Sequence, residues 1–83
     1  MIYPVYCIRD SKVDFMAPTV DHSDSSAVRN FAYAINSDGI MNYSPNDFDL
    51  YRIGSFDSEK GLLESCIPEL IVSGISVFGD KDK

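Results

Sequence analysis

The single histidine, His22, stands in Asp21-His22-Ser23-Asp24, where an imidazole among carboxylates is the nearest thing in the chain to a metal cradle. No second soft ligand completes a zinc set, so the segment reads as a loop histidine beside a helix cap and no metal is expected. Cys7 and Cys66 lack C-x-x-C spacing and both fall in strand-like runs. They are expected to be small core residues in a reducing compartment, not a disulfide or a metal pair. No glycine-rich phosphate loop follows a strand, and no serine or cysteine has a base set beside it by spacing. The expectation is a non-enzyme, with no catalytic residues and no cofactor.

Binding chemistry has more material. Single-stranded nucleic acid is held by aromatic platforms with a few cations, and stacking contributes about 1–3 kcal/mol per base without sequence readout. Arg29 and Tyr33 are four residues apart, hence neighbours on one helix face, and Tyr51 precedes Arg52. The candidate DNA contacts are Arg29, Tyr33, Arg52, Tyr51, Arg9 and Lys12, with Tyr3, Tyr6 and Tyr43 behind them. The plainer reading of the same residues has strand tyrosines packed with hydroxyls at the rim and Arg29 paired to an acid one turn away. Thirteen carboxylates against seven Lys and Arg give a net charge of −6. That balance argues against tight, non-specific binding to phosphate backbones. Repeating a small cationic patch around a symmetry axis is the way an acidic protein could still offer DNA a positive surface.

The elements that must position these residues follow from the pattern. Ile2 to Ile8 is a strand, apolar on both faces, with Pro4 at its start or on an open edge. Arg9 to Lys12 makes a turn, Val13 to Met16 a second strand, and Ala17-Pro18-Thr19-Val20 leaves the sheet. Ser23 or Asp24 caps a helix in which Ala27, Val28, Phe31, Ala34 and Ile35 form one apolar stripe, with Arg29 and Tyr33 opposite and Gly39 past its end. Ser44-Pro45-Asn46-Asp47 is a short helical turn leading into a hairpin. The first hairpin strand, Phe48 to Phe56, puts Phe48, Leu50 and Phe56 on one face and Tyr51 and Ile53 on the other, with Gly54 a bulge position. Leu62 to Cys66 follows, Pro68 makes a corner, and Leu70 to Phe78 is the last strand.

The fold expected is α+β: an antiparallel sheet of four or five strands with one principal helix, in the order β-β-α-β-β-β. A small curled barrel of the oligonucleotide-binding kind is the runner-up. At 83 residues the chain is one domain over 1–78, with a flexible charged tail over 79–83. Three strands are apolar on both faces, and one helix covers only one face. A second copy is expected over the other, making a homo-oligomer through the apolar sheet face. Neither a leader nor a membrane span is read, so a cytosolic protein with no membrane partner is expected.

Two stretches together resemble a known family: Ser-Ser-Ala-Val-Arg-Asn-Phe-Ala-Tyr-Ala-Ile-Asn from Ser25 to Asn36, and Ser-Pro-Asn-Asp-Phe-Asp-Leu-Tyr-Arg-Ile-Gly-Ser-Phe-Asp from Ser44 to Asp57, closing with Gly61 and Pro68-Glu69-Leu70. The arrangement is similar to the small non-structural protein of the gokushoviruses, the branch of the Microviridae that includes the chlamydia phages. The likeness runs from about Tyr3 to Val72. It implies a protein of the infected bacterium's cytoplasm, absent from the mature virion, that supports replication or packaging of a circular single-stranded DNA genome, often by binding DNA. The alternative is an adaptor for the replication initiator, a host factor or the procapsid, without DNA contact. Arg29 matches the arginine of the helix motif, and Tyr51 with Gly54 matches the strand motif. The family supplies no catalytic residues.

Overall fold

The structure is a computed structural model that describes residues 1–79. Its sheet is antiparallel and five-stranded, in the spatial order β2-β1-β4-β5 with β3 also paired to β1. The strands are β1 (Ile2–Asp10), β2 (Asp14–Phe15), β3 (Thr19–Val20), β4 (Phe48–Asp57) and β5 (Leu62–Ser73). One main helix, α1 (Asp24–Asn36), crosses one face; α2 (Ile40–Tyr43), a 3-10 turn (Pro45–Asp47) and α3 (Gly74–Val77) complete that layer. The α+β architecture expected from the sequence is therefore observed.

Helix α1 begins where the Ser23 hydroxyl accepts the Ser26 N–H at 3.2 Å. Its stripe buries Ala27, Phe31 and Ile35 against Tyr6, Phe48, Leu50 and Val77, with Ile8, Val28 and Val72 around them. These alternate residues of β1 and β4 face the helix because strand side chains alternate between faces. The other residues of the same strands, Val5, Cys7 and Arg9 on β1 and Tyr51 on β4, point to the face the helix leaves open.

Four differences from the sequence reading have local causes. Thr19–Val20 stays in the sheet as β3: Val20 lies opposite Val5, and Asp21 N–H donates to the Pro4 carbonyl at 3.2 Å, so Pro4 accepts although it cannot donate. The third strand thus precedes the helix. Second, the β1–β4 register slips by one residue at Ile53, between Arg52 and Gly54. That extra residue moves Phe56 out of phase with Leu50 and onto the open face, opposite Tyr3. Third, β5 runs unbroken through Pro68; its ladder to β4 lapses from Cys66 to Pro68, and an edge strand loses nothing by lacking a donor there. Cys66 is accordingly exposed, while Cys7 is buried in the sheet as expected.

The fourth difference is that the last strand stops at Ser73. A Cβ on Gly74 would meet the Pro45 carbonyl oxygen at 2.3 Å and the Phe48 carbonyl oxygen at 2.5 Å. Only glycine lets the chain pass there, and it turns as α3 so that Val77 drops into the core. The tail expected over 79–83 lies, from residue 80 on, outside the described residues.

Candidate nucleic-acid interface

On the helix face, Tyr6 is 1 % exposed and donates its hydroxyl to Asp24 Oδ1 in the first turn of α1. Burial, then the bond to Asp24, raises the tyrosine's pKa well above its ordinary range, so the hydroxyl stays a donor. Arg52 reaches the same carboxylate, with Nη1 3.4 Å from Asp24 Oδ2, and its Nη2 lies 2.5 Å from Glu69 Oε1 on β5. Helix, central strand and edge strand are joined through one guanidinium. Its charge is committed to two acids of the same chain, so of the sequence candidates Arg52 is the one least free to meet a phosphate.

The open face gathers different residues. Arg9 is opposite Phe15 in the β1–β2 pair, and Cys7 is opposite Tyr51 in the β1–β4 pair, which puts Arg9, Phe15 and Tyr51 on one side of the sheet. The Arg9 guanidinium carbon lies 5.8 Å from the Phe15 ring centroid, and Phe15 meets Tyr51 edge-on with centroids 5.3 Å apart. Lys12 sits in the β1–β2 turn beside them, its backbone N–H held by Asp10 Oδ1 at 2.9 Å. The fold thus brings together two sequence candidates, Arg9 and Tyr51, around a residue the sequence reading did not single out, with Lys12 in the adjoining turn. Phe15's signal was its place in the expected second strand, Val13 to Met16; Arg9, expected in the turn, instead continues β1 to Asp10 and so comes to lie opposite it.

Arg29 and Tyr33 lie elsewhere, on the outward side of α1, with the helix–sheet core between them and the open sheet face. Tyr33 is 78 % exposed, and among the described residues Arg29 makes no ion pair and no ring contact. The acid one turn away that the plainer reading paired with Arg29 is not engaged. The other tyrosines divide: Tyr6 is core, Tyr43 is exposed on α2, and Tyr3 meets the His22 ring edge-on at 5.6 Å.

That contact accounts for His22. Asp21 is equally occupied: it accepts the Ser26 hydroxyl at 2.6 Å, the Asn30 side-chain N–H at 2.9 Å and the His22 backbone N–H at 2.8 Å. The Ser26 bond leads in holding its carboxyl below the usual range. Among the described residues no cluster of three metal-ligating side chains occurs, and no helix is long and apolar enough to cross a membrane.

Next to the Arg9 cluster the open face is apolar. Val5, Pro18, Val20, Ile53, Phe56 and Leu63 line a shallow pocket of about 500 Å³. Chemically, this face offers ring surfaces, one guanidinium and a hydrophobic hollow. Residues 3–77 match the family model described as Phage ORF5 protein. No curated protein and no solved structure matches the chain.

Proposed function

Because the chain belongs to the Phage ORF5 protein family, we propose that it is a non-enzymatic phage protein that supports viral single-stranded DNA replication or packaging by binding single-stranded DNA as an oligomer. The observation that carries the reading is the Arg9–Phe15–Tyr51 cluster: two aromatic rings and a guanidinium in contact on the sheet face turned away from α1. Flat rings with a nearby cation suit unpaired bases strung on a phosphate backbone. Lys12 adds a second charge at the edge of the cluster. The resemblance to the gokushovirus non-structural proteins supports the same reading, in which the protein works in the host bacterial cytoplasm and stays outside the mature virion.

The acidic net charge sets the mode of binding. With few cations, affinity comes from stacking more than from counterion release, so binding is modest and depends on the rings. Ultraviolet cross-linking to oligothymidylate followed by peptide mapping tests it. The expected adducts fall on Phe15 or Tyr51; adducts confined to Tyr33 or Tyr43, or none, overturn the assigned site.

A second reading is favoured by one specific feature. Every residue of β5 from Leu62 to Leu70 is exposed, including four large apolar side chains. Such a surface suits protein contact, and an adaptor for a replication initiator, a host factor or the procapsid would use it without touching DNA.

A further inference from the structure

β5 is the outermost strand of the sheet, and at 12 residues it is about twice the usual strand length. Among the described residues no strand pairs with its outer edge. A long, exposed, apolar edge is a template for another strand, and natural proteins blunt such edges with charges, prolines and bulges. β5 has those devices in its middle, where the ladder lapses from Cys66 to Pro68, and two glutamates, Glu64 and Glu69. Its first flank, Leu62–Ser65, stays in register with β4; the second, Glu69–Ser73, does so except for one extra residue at Ile71.

We propose that two copies of this chain pair antiparallel through β5, the flank Leu62–Ser65 of each lying against Glu69–Ile71 of the other. The register follows from faces and charges. Leu63 is opposite Phe56 and Leu70 opposite Tyr51 within the chain, so both point to the open face, and a symmetric pair sets Leu63 of one copy against Leu70 of its partner. Directly opposite residues share a face, and this register keeps that rule on both sides of the lapse. It also brings Glu64 to the partner copy's Glu69. That meeting of like charges is tolerable because each Glu69 is already held by Arg52 at 2.5 Å.

The exposed apolar side chains supply the larger part of the area a stable pair needs. Leu62, Leu63, Ile67 and Leu70 are each more than half exposed, and Ile67 is 89 % exposed. Together they offer roughly 500 Å² of side-chain surface per copy, and the hydrogen-bonding edge adds to it, against ~800 Å² per partner in a standard interface. The two-fold axis of such a pair stands normal to the sheet. Both α1 helices then lie on one side, and both Arg9–Phe15–Tyr51 clusters lie on the other, on one continuous sheet. What that shared face does for DNA rests on the function proposed above; the pairing itself does not.

The test uses the full chain without DNA, so its failure and the failure of DNA binding are separate results. Sedimentation equilibrium at tens of micromolar is expected to give twice the 9.3 kDa chain mass. Leu63→Lys should return it to the monomer with an unchanged circular dichroism spectrum, and Glu64→Lys, which faces Glu69 with the opposite charge, should tighten it several-fold. In a Cys66→Ser background, Leu63→Cys and Leu70→Cys chains should cross-link under mild oxidation when mixed and not when alone. A monomer at these concentrations overturns the pairing. So does a dimer that survives Leu63→Lys but is lost with Val20→Lys, which would place a second copy over the open face instead.

Discussion

The Arg9 guanidinium carbon stands 5.8 Å from the centroid of Phe15, a ring that is 44 % exposed and touches Tyr51 edge-on. An aromatic ring kept half in water by its fold and flanked by a cation contributes little to the core. Phe15→Ala should therefore cost less than about 1.5 kcal/mol of stability, the cation contact itself being worth ~0.5–1 kcal/mol at such a site. Phe31→Ala, which opens a cavity beneath α1, should cost about 3–5 kcal/mol, enough to unfold much of a small domain. Urea denaturation of the two variants separates spare surface from scaffold.

Two glycines should prove irreplaceable for steric reasons. A Cβ on Gly54 would sit 2.1 Å from the Glu64 carbonyl oxygen, and one on Gly74 would meet two backbone carbonyls. Backbone cannot step aside as a side-chain tip does, so Gly54→Ala and Gly74→Ala should each cost on the order of 1–3 kcal/mol, read as a fall in melting temperature. Gly61, in the β4–β5 turn at φ +68° with open space around it, should accept Asn with a much smaller loss.

Alkaline pH should destabilise the fold through Tyr6. Burial and the bond to Asp24 raise its pKa in the folded state, so the folded protein holds the phenolic proton more tightly than the unfolded chain does. The stabilisation is full below the unfolded value, about pH 10, and is lost as pH rises beyond it. Tyr6→Phe should flatten that alkaline fall. Its cost at neutral pH is about 1.5–3 kcal/mol, the worth of a hydrogen bond to a charged group.

Acid should act at Asp21 in the opposite sense. Its carboxyl is held below the usual range by Ser26, with His22 and Asn30 adding to the effect. The stabilisation is present above about pH 4 and is lost as pH falls through the lower, folded value. Asp21→Asn should remove part of the acid limb of a stability–pH curve while leaving the neutral plateau lower.

Much of this fold could be read from the chain itself, because its strongest signals are local. The period of Ala27, Phe31 and Ile35, the Ser23 cap and the Ser44-Pro45 turn each decide a piece of backbone without help from distant residues. What escaped were phase and context. One extra residue at Ile53 moves Phe56 to the other face, and no periodicity within a single strand reports which residue a neighbouring strand will skip. The end of β5 is fixed by a close approach of Gly74 to two carbonyls from another segment, a tertiary fact. For the site, residue types were legible and positions were not. Arg52 looked as free as Arg9 until the fold set Asp24 and Glu69 around it, and Phe15 gained meaning only once β2 lay against β1.

The most direct measurement is fluorescence anisotropy of a labelled single-stranded oligonucleotide titrated with the protein across a salt series, with Phe15→Ala, Arg9→Ala and Arg29→Ala alongside. Each phosphate contact to a single strand contributes a slope of about −0.7 in log affinity against log salt, so Arg9 and Lys12 together predict about −1.4 per chain. Phe15→Ala should weaken binding by about 1–3 kcal/mol with the slope kept. Arg9→Ala should roughly halve the slope, and Arg29→Ala should change neither. Binding lost in Arg29→Ala and retained in Phe15→Ala, or a flat titration at the lowest salt, would contradict the assignment of the open sheet face as a single-stranded DNA platform.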